Sequence, residues 1–246
     1  MIFTKEAFIS GQVILIDKPL HWTSFQVVNK VRWLIKKNIG FKKIKVGHAG
    51  TLDPLANGLL ILCCGKMTKE IERFQGQEKT YSGTFQLGAT TPSYDLETKI
   101  DQTYPTDHIN PALVEATKAQ FMGDIDQYPP VYSALKKEGK RLYEYARKEE
   151  QVDIPSRKVN ISAFSIDTSA LPQLSFKVSC SKGTYIRSLV HDYGQALNSG
   201  AYLSSLCRDL FTAPNKSLGV PVPMTYLGLF LSISGEISST ISNISF

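Results

Sequence analysis

The sequence has few cysteines, and their arrangement matches neither a zinc site nor a disulfide framework. The four are Cys63, Cys64, Cys180 and Cys207, and none stands in the C-x-x-C spacing that is typical of zinc ligands. Free thiols are typical of a reducing compartment, because disulfides persist mainly in oxidising ones. We therefore expect a cytoplasmic protein with no metal site.

Long apolar runs are also missing. The longest, around Leu59–Cys64 and Tyr226–Ile233, are far shorter than the roughly 20 residues that a membrane-spanning helix needs. The N-terminus lacks the charged-then-apolar pattern of a signal peptide. We expect no membrane segment, and the 246 residues with 42% hydrophobic content suit a globular core.

Acidic residues are absent between Val27 and Val46. All charged residues in this basic segment are cationic: Lys30, Arg32, Lys36, Lys37, Lys42, Lys43 and Lys45. Like charges repel one another, so this run and the net charge of +6 favour an anionic partner such as nucleic acid. A solvated helix face is the alternative. Trp33 lies on the same polar side, where it could stack on a base or cap the sheet.

Hydrophobic periodicity predicts helices and strands in no strict alternation. Helices are predicted at 24–38, 68–74, 110–122, 136–150 and 185–198, and strands at 11–17, 59–64, 79–87, 157–166 and 174–180. Such a mixture favours an α+β fold around a mixed, mostly antiparallel sheet. The segment from Pro214 onward is biased to serine and isoleucine, which fits either a frayed tail or an edge strand.

The segment Gly47–Leu60 (GHAGTLDPLANGLL) has the composition of a tightly folded loop. Its glycines, Asp-Pro and Asn-Gly pairs are typical of turns. It presents one carboxylate, Asp53, and one imidazole, His48, directly after the basic segment. Taken alone, Asp53 could simply cap a turn and His48 could bond to backbone.

Five segments in this order resemble the TruB family of bacterial tRNA pseudouridine synthases. They are DKP at Asp17–Pro19, GHAGTLDPLANGLL at Gly47–Leu60, KTY at Lys79–Tyr81, YSALK at Tyr132–Lys136 and SKGTYIRSL at Ser181–Leu189. One short motif would be weak, whereas five collinear motifs are highly specific. The resemblance spans roughly residues 11–210.

The resemblance implies a pseudouridine synthase fold with helices flanking the sheet, an RNA-binding cleft, and an isomerase that converts uridine at position 55 in the T loop of tRNA. The target base is flipped out, its glycosidic bond breaks, and carbon 5 of the uracil bonds to the sugar. A carboxylate can attack the anomeric carbon or remove the neighbouring sugar proton to give a glycal. Both routes stay open, and neither needs a cofactor.

The resemblance also assigns the site residues. Asp53 matches the family's catalytic carboxylate, Tyr81 its active-site tyrosine, and Arg187 the arginine that pairs with that carboxylate. Other matches bind the substrate: His48, which enters the T loop, Tyr185 and Leu206, which line the uracil pocket, and Lys18, which shapes the site or touches phosphate. For Tyr185 and Leu206, core packing is the alternative.

The resemblance suggests where RNA is gripped. The expected contacts are Lys30, Lys36, Lys37, Lys42 and Lys43 in the basic segment, and Lys136, Lys140 and Arg141 in an insertion at about 127–150. A salt-bridged helix is the alternative for the insertion. We expect a catalytic domain over 1–211 and a short tail over 212–246. Only 35 residues follow Phe211, too few for the family's C-terminal PUA domain. Binding should then be weaker and more salt-sensitive.

The sequence departs from the family pattern in two places. Cys207 stands before Arg208 where the family often has a second arginine, and one segment also differs. The text TPSYDLET keeps Asp95 but has Pro92 in place of an aspartate and Thr98 in place of a glycine, which puts any RNA contact there in doubt. Two other functions remain: a non-catalytic tRNA-binding or folding factor, and a synthase acting on another RNA. We expect a monomer that binds the T arm of tRNA and needs no protein partner.

Overall fold

The computed structural model describes residues 4–148 and 150–209, with the backbone of 224–226, 228–231 and 237–240. The helices are α1 (Lys5–Ser10), α2 (Ser24–Ile39), α3 (Ile71–Gln75), α4 (Pro111–Lys118), α5 (Leu142–Ala146) and α6 (Ile186–Ala196), with 3₁₀ turns at Gly65–Glu70 and Ala119–Phe121. The strands are β1 (Gln12–Lys18), β2 (Val46–His48), β3 (Ala56–Cys64), β4 (Lys79–Leu87), β5 (Ala89–Thr90), β6 (Gln102–Thr103), β7 (Gly123–Gln127), β8 (Lys136–Lys137), β9 (Lys140–Arg141), β10 (Arg157–Asp167), β11 (Gln173–Cys180), β12 (Ala201–Arg208), β13 (Met224–Tyr226), β14 (Gly228–Leu231) and β15 (Ile237–Thr240).

These elements form two compact units. The first unit takes in the described residues of Met1–Gln77 and Cys207–Phe246, and the second those of Glu78–Leu206. In the first unit, β1 lies between β3 and β13, antiparallel to β3 and parallel to β13. The short strand β2 also pairs with β3, antiparallel.

Strand β1 is buried on both faces. Ile14 and Ile16 pack in one cluster with the apolar side of α2, while Val13 and Leu15 pack in another with Phe74 of α3. Burial on both faces explains why the sequence here is continuously apolar and does not alternate.

Helix α2 begins and ends where its capping residues predict. Thr23 accepts a hydrogen bond from the backbone of Gln26, whose side chain bonds back to Thr23, and Gly40 ends the helix in the left-handed region at φ 78°. The buried side chains include Val27, Val28 and Val31, as the helical spacing predicted.

The second unit is a sheet in the order β12-β4-β11-β10-β7, to which β12 contributes residues 201–206. The last two residues of β12, Cys207 and Arg208, belong to the first unit. The pairs β4–β11, β11–β10 and β10–β7 are antiparallel. Helix α6 packs on this sheet through Tyr193, whose ring centroid lies 5.8 Å from those of Phe85 and Phe164. With the parallel β1–β13 pair, the sheet arrangement is mixed and mostly antiparallel, so the α+β prediction is confirmed.

The helix predicted over Lys136–Glu150 is wrong. Strands β8 and β9 form a tight hairpin, and among the described residues of this segment only Leu142–Ala146 is α-helical. Both turn residues have positive φ, 51° at Glu138 and 84° at Gly139. That geometry is typical of two-residue hairpin turns and cannot occur within a helix.

The strand alternative for the C-terminal segment holds where the structure describes it. Strand β13 pairs with β1, and β14 with β15, which lies in the serine- and isoleucine-rich part. The rest of the expected tail at 212–246 lies outside the described residues. Across the described part of the chain, no helix has the length and hydropathy to span a membrane.

Gly58 lies where β3 approaches the end of β12 closely. Its φ is 96°, and a Cβ added there would overlap the backbone of Arg208, whereas at Gly40, with φ 78°, it would meet nothing. We expect Gly40→Ala to cost about 1–2 kcal/mol of unfolding free energy from backbone strain alone. Gly58→Ala should cost about 2–5 kcal/mol because overpacking adds to strain. Urea denaturation checks this, and equal losses would contradict the close approach.

Candidate active site

The loop that carries Asp53 is held from behind by α2. The hydroxyl of Ser24 accepts a hydrogen bond from Leu52 N at 2.9 Å and lies 3.1 Å from Leu52 O, to which it donates. The carbonyl of Pro54 accepts from His21 N at 2.7 Å. Both neighbours of Asp53 are therefore fixed through their backbone, and Asp53 itself is half-buried.

Arg208, at the end of β12, closes the same loop from the other side. Its Nε donates to Leu59 O at 2.6 Å, and its terminal nitrogens donate to Thr51 O at 3.4 Å and Gly50 O at 3.3 Å. The side chain is only 4% exposed. Sequence analysis missed this role, and the only signal was that an arginine follows Cys207.

Lys18 is a fully buried cation that lies close enough to Asp53 for their charges to interact. Its Nζ donates to Pro19 O at 2.9 Å and Trp22 O at 2.6 Å. Burial lowers the pKa of Lys18 to about 8, an effect that nearby Asp53 opposes and Arg208 adds to. Of the two roles that sequence left open for Lys18, its 0% exposure favours shaping the site over touching phosphate.

His48 ends β2 in the same unit. Its Nδ1 is buried and has no hydrogen-bond partner within the described part of the chain. Burial and the charge of Arg208 lower the pKa of His48, although the backbone of Gly50 acts in the opposite direction. The ring is therefore neutral at pH 7.

In the second unit, Arg187 lies in the first turn of α6. It is 4% exposed, and its Nε lies 3.5 Å from Oδ2 of Asp95. It also donates to Ser93 O at 3.1 Å and Tyr132 O at 2.9 Å. A cation is disfavoured in the first turn of a helix, and here the carboxylate of Asp95 compensates for it. The pairing of Arg187 with Asp53 stays a prediction.

Asp95 therefore pairs with a predicted site residue, a role that the family pattern does not indicate. The sequence relates Asp95 only to a possible RNA contact in a segment that departs from the family, whereas its side chain is only 7% exposed and lies beside Arg187. The loop that contains it is closed by Ser93 and Thr98, whose hydroxyls lie 2.8 Å apart. Thr98 thus supports the turn in place of the family's glycine.

Tyr185, the residue before α6, is held by a buried glutamine. Gln127 accepts from Tyr185 N at 2.7 Å and donates to Tyr185 O at 3.1 Å. The guanidinium of Arg157 lies 5.4 Å from the ring centroid of Tyr185. Its backbone is fixed by Gln127, and its ring is half-buried beside a cation.

Tyr81 and Leu206 complete the predicted residues of the second unit. Tyr81 lies on β4, on the same face as core residue Phe85 by strand alternation, and is 8% exposed. Leu206 lies on β12 and is also buried. Strand β12 and strand β7 were not predicted from the sequence.

The cations expected to grip RNA lie on two surfaces. In the first unit Lys36, Lys37, Lys42 and Lys43 are exposed and Lys30 is half-buried. In the second unit Lys136 and Lys140 are exposed on the hairpin, whereas Arg141 is half-buried and donates to Ala134 O at 2.6 Å. Among the described residues, no three His, Cys, Asp or Glu side chains are grouped so that they could hold a metal ion.

Comparisons with known proteins point to one family. Residues 36–186 match the model of the TruB family pseudouridylate synthase N-terminal domain. The protein named tRNA pseudouridine synthase B from Flavobacterium johnsoniae is 60% identical over 206 residues, which cover 83% of this chain and 90% of the relative. The protein of the same name from Phocaeicola vulgatus is 56% identical over 201 residues, covering 82% and 86%.

Solved structures share the fold. A chain in a Cbf5–Nop10–Gar1 complex has a TM-score of 0.60 and 27% identity, with 83% of this chain and 49% of that chain covered. A chain in an H/ACA RNP bound to a substrate RNA containing 2′-deoxyuridine has a TM-score of 0.57 and 26% identity, covering 82% and 48%. This chain therefore spans about half the length of those solved chains.

The buried Lys18 makes stability depend on pH. Its pKa is about 8 in the folded protein against an ordinary value of 10.5, so burying the ammonium destabilises the fold below pH 8. Between pH 8 and 10.5 the unfolded state binds more protons, and stability rises with pH. We expect the unfolding free energy of wild type, relative to Lys18→Met, to rise by about 3 kcal/mol across that window. A flat difference in urea titrations would contradict this assignment.

The buried pair of Arg187 and Asp95 should be sensitive to loss of one charge. Asp95→Asn keeps the shape but leaves Arg187 without this carboxylate, and we expect a loss of about 3–5 kcal/mol of unfolding free energy. Asp107→Asn, at an exposed position, is the matched control and should change it by less than about 0.5 kcal/mol. Equal effects in the two variants would show that the Asp95 carboxylate contributes little.

Proposed function

We propose that this chain converts uridine to pseudouridine at position 55 in the T loop of tRNA. The basis is family membership, because this chain belongs to the TruB family of pseudouridylate synthases. Family membership confirms the resemblance seen in the sequence and the expectation of an isomerase. The tRNA substrate is supported by the names of relatives at 60% and 56% identity. The match covers 90% and 86% of those relatives, but only 49% and 48% of the chains in the RNP structures, so tRNA is favoured over another RNA.

Asp53 is the proposed catalytic carboxylate. The observation that carries this proposal is the loop around it, which Ser24 and Arg208 hold by hydrogen bonds to Leu52, Gly50, Thr51 and Leu59. A rigid loop presents a carboxylate with little reorganisation, which is what attack on a bound sugar requires.

The reaction needs one group that reacts with the sugar as its bond to the base breaks, and another that assists proton transfer on the base. Asp53 bonds to the anomeric carbon as the bond to N1 breaks, or removes the neighbouring sugar proton to give a glycal. The uracil turns, and its carbon 5 bonds to the anomeric carbon as the ester bond between that carbon and Asp53 breaks. In the glycal route, Asp53 instead returns the proton to the neighbouring sugar carbon as this bond forms. The proton on carbon 5 is then lost, and N1 gains one. Tyr81 stacks on the uracil and assists the proton loss.

The remaining site residues hold the RNA in position. As the family resemblance implies, we expect Arg187 to pair with Asp53 during the reaction, and Tyr185 and Leu206 to line the uracil pocket. Neutral His48 fills the space that the flipped base leaves in the T loop, which offsets part of the cost of flipping. Lys18 shapes the site without contacting phosphate, because it is fully buried.

We further propose that residues 1–211 act as the catalytic domain, with the segment at about 127–150 gripping RNA. The hairpin there exposes Lys136 and Lys140 on two short strands. We expect a cytoplasmic monomer that needs neither a cofactor nor a protein partner and recognises the T arm.

Replacement of Asp53 tests the chemistry. Incubated with tRNA transcript, Asp53→Asn should form pseudouridine at least about 10⁴-fold more slowly than wild type, because its amide cannot act as nucleophile or base. Chemical modification and primer extension map the product. Glu72→Gln removes an exposed carboxylate from the same unit and should retain wild-type activity.

Two outcomes would overturn parts of the proposal. A wild-type protein that modifies no tRNA but still binds it would be a binding or folding factor. Full activity in Asp53→Asn would mean that another group carries the reaction.

A further inference from the structure

Trp33 lies at the centre of the exposed side of α2. The helix buries Val27, Val28, Val31 and Ile35 along one side, whereas Trp33 is 47% exposed. At 100° per residue, Trp33 points almost directly away from the middle of that buried side. The sheet-capping alternative is therefore wrong, and half of a large aromatic surface faces solvent.

Two lysines flank this ring. The Nζ atoms of Lys30 and Lys37 each lie 4.9 Å from the ring centroid of Trp33. The positions follow from the helix, since residues three before and four after a given one are its neighbours. Such cation–π contacts hold both charges beside the exposed ring.

Within the described part of the chain, the lysines of α2 have no acidic partner. None of the lysines on α2 forms a salt bridge to any residue that the structure describes, and the chain has no acidic residue between Val27 and Val46. Arg32 differs, because it donates to Asn29 Oδ1 at 2.7 Å and to Val46 O at 3.0 Å. One cation thus fixes the helix to its own unit, while the lysines around Trp33 stay available.

We propose that this surface, formed by Lys30, Trp33, Lys36 and Lys37, binds RNA by stacking one unpaired base on Trp33 and placing its flanking phosphates against the lysines. We call it the α2 platform. An aromatic ring within a cationic patch fits a nucleotide, which has both a π face and a negative charge. An acidic peptide would satisfy the lysines but offers no face for the ring.

The platform is distinct from the uridine site, and it adds a second point of attachment for the RNA. It rests on the proposed function only in taking RNA as the substrate. Any base can stack, so the contact should accept all four bases and depend on salt. Loss of Trp33 should weaken RNA binding and leave the rate at saturating RNA unchanged.

Tryptophan fluorescence tests the stacking directly. The chain has two tryptophans, Trp22, which packs partly buried against the core, and Trp33. Oligoadenylate should quench the emission of wild type but not that of Trp33→Phe, whose signal comes from Trp22 alone. A blunt RNA duplex, which offers no unpaired base, should quench far less. Equal quenching in both proteins would overturn the proposal.

Binding affinity gives a second measurement. For a T-arm stem-loop transcript, Trp33→Ala should raise Kd about 5- to 100-fold, which corresponds to about 1–3 kcal/mol, and Trp33→Tyr should restore most of it. Ile9→Ala, at another exposed apolar position of the same unit, is the control and should leave Kd unchanged. Circular dichroism verifies that each variant is folded.

Lys30 and Lys37 should contribute to the salt dependence of RNA binding. For oligoadenylate, replacing both Lys30 and Lys37 by glutamine should reduce the slope of log K against log salt by about 1.4, or 0.7 per phosphate contact. Lys66→Gln, an exposed lysine of the same unit, should leave it unchanged. An unchanged slope in the double variant, or stronger quenching by polyglutamate than by RNA, would overturn the proposal. These readouts do not need isomerisation, so a protein that binds in this way but forms no pseudouridine would refute the proposed function alone.

Discussion

The Asp53 loop depends on backbone hydrogen bonds to two buried side chains that come from outside it. Ser24 bonds to both polar backbone atoms of Leu52, and Arg208 donates to three carbonyl oxygens around the loop. A loop of glycines and turn residues has few side chains with which to hold itself, and its buried carbonyls need donors. The first turn of α2 and the end of β12 therefore determine where Asp53 lies.

Buried cationic side chains repeatedly supply hydrogen-bond donors to backbone carbonyls in this protein. Lys18, Arg187 and Arg208 are each at most 4% exposed, and each donates to backbone carbonyls. A buried charge is costly unless such bonds surround it. In the first unit, Lys18 and Arg208 lie close enough for the charge of Arg208 to lower the pKa of Lys18, while the charge of Asp53 raises it. The proposed chemistry thus takes place beside charges that the fold has already compensated.

Capping residues and hydrophobic periodicity correctly predicted the elements whose ends depend on nearby residues. Helix α2 follows its Thr23 cap and Gly40 stop, and β4 begins and ends where its pattern indicated. The prediction failed at Lys136–Glu150, where charge composition suggested a helix but Glu138 and Gly139 form a hairpin turn. Strand β12 was missed because a strand is defined by pairing with distant residues, which periodicity in one short segment does not reveal.

The sequence by itself determined the family and the identities of the proposed site residues, because collinear motifs preserve residue type and order whatever the fold does around them. It also determined that one helix carries an unbroken set of cations. Only the tertiary structure decided that Arg187 meets Asp95, that Arg208 closes the Asp53 loop, and that Trp33 faces solvent. The reason is sequence distance: Arg208 bonds to Leu59 across 149 positions, and no local pattern encodes a contact between segments that folding alone brings together.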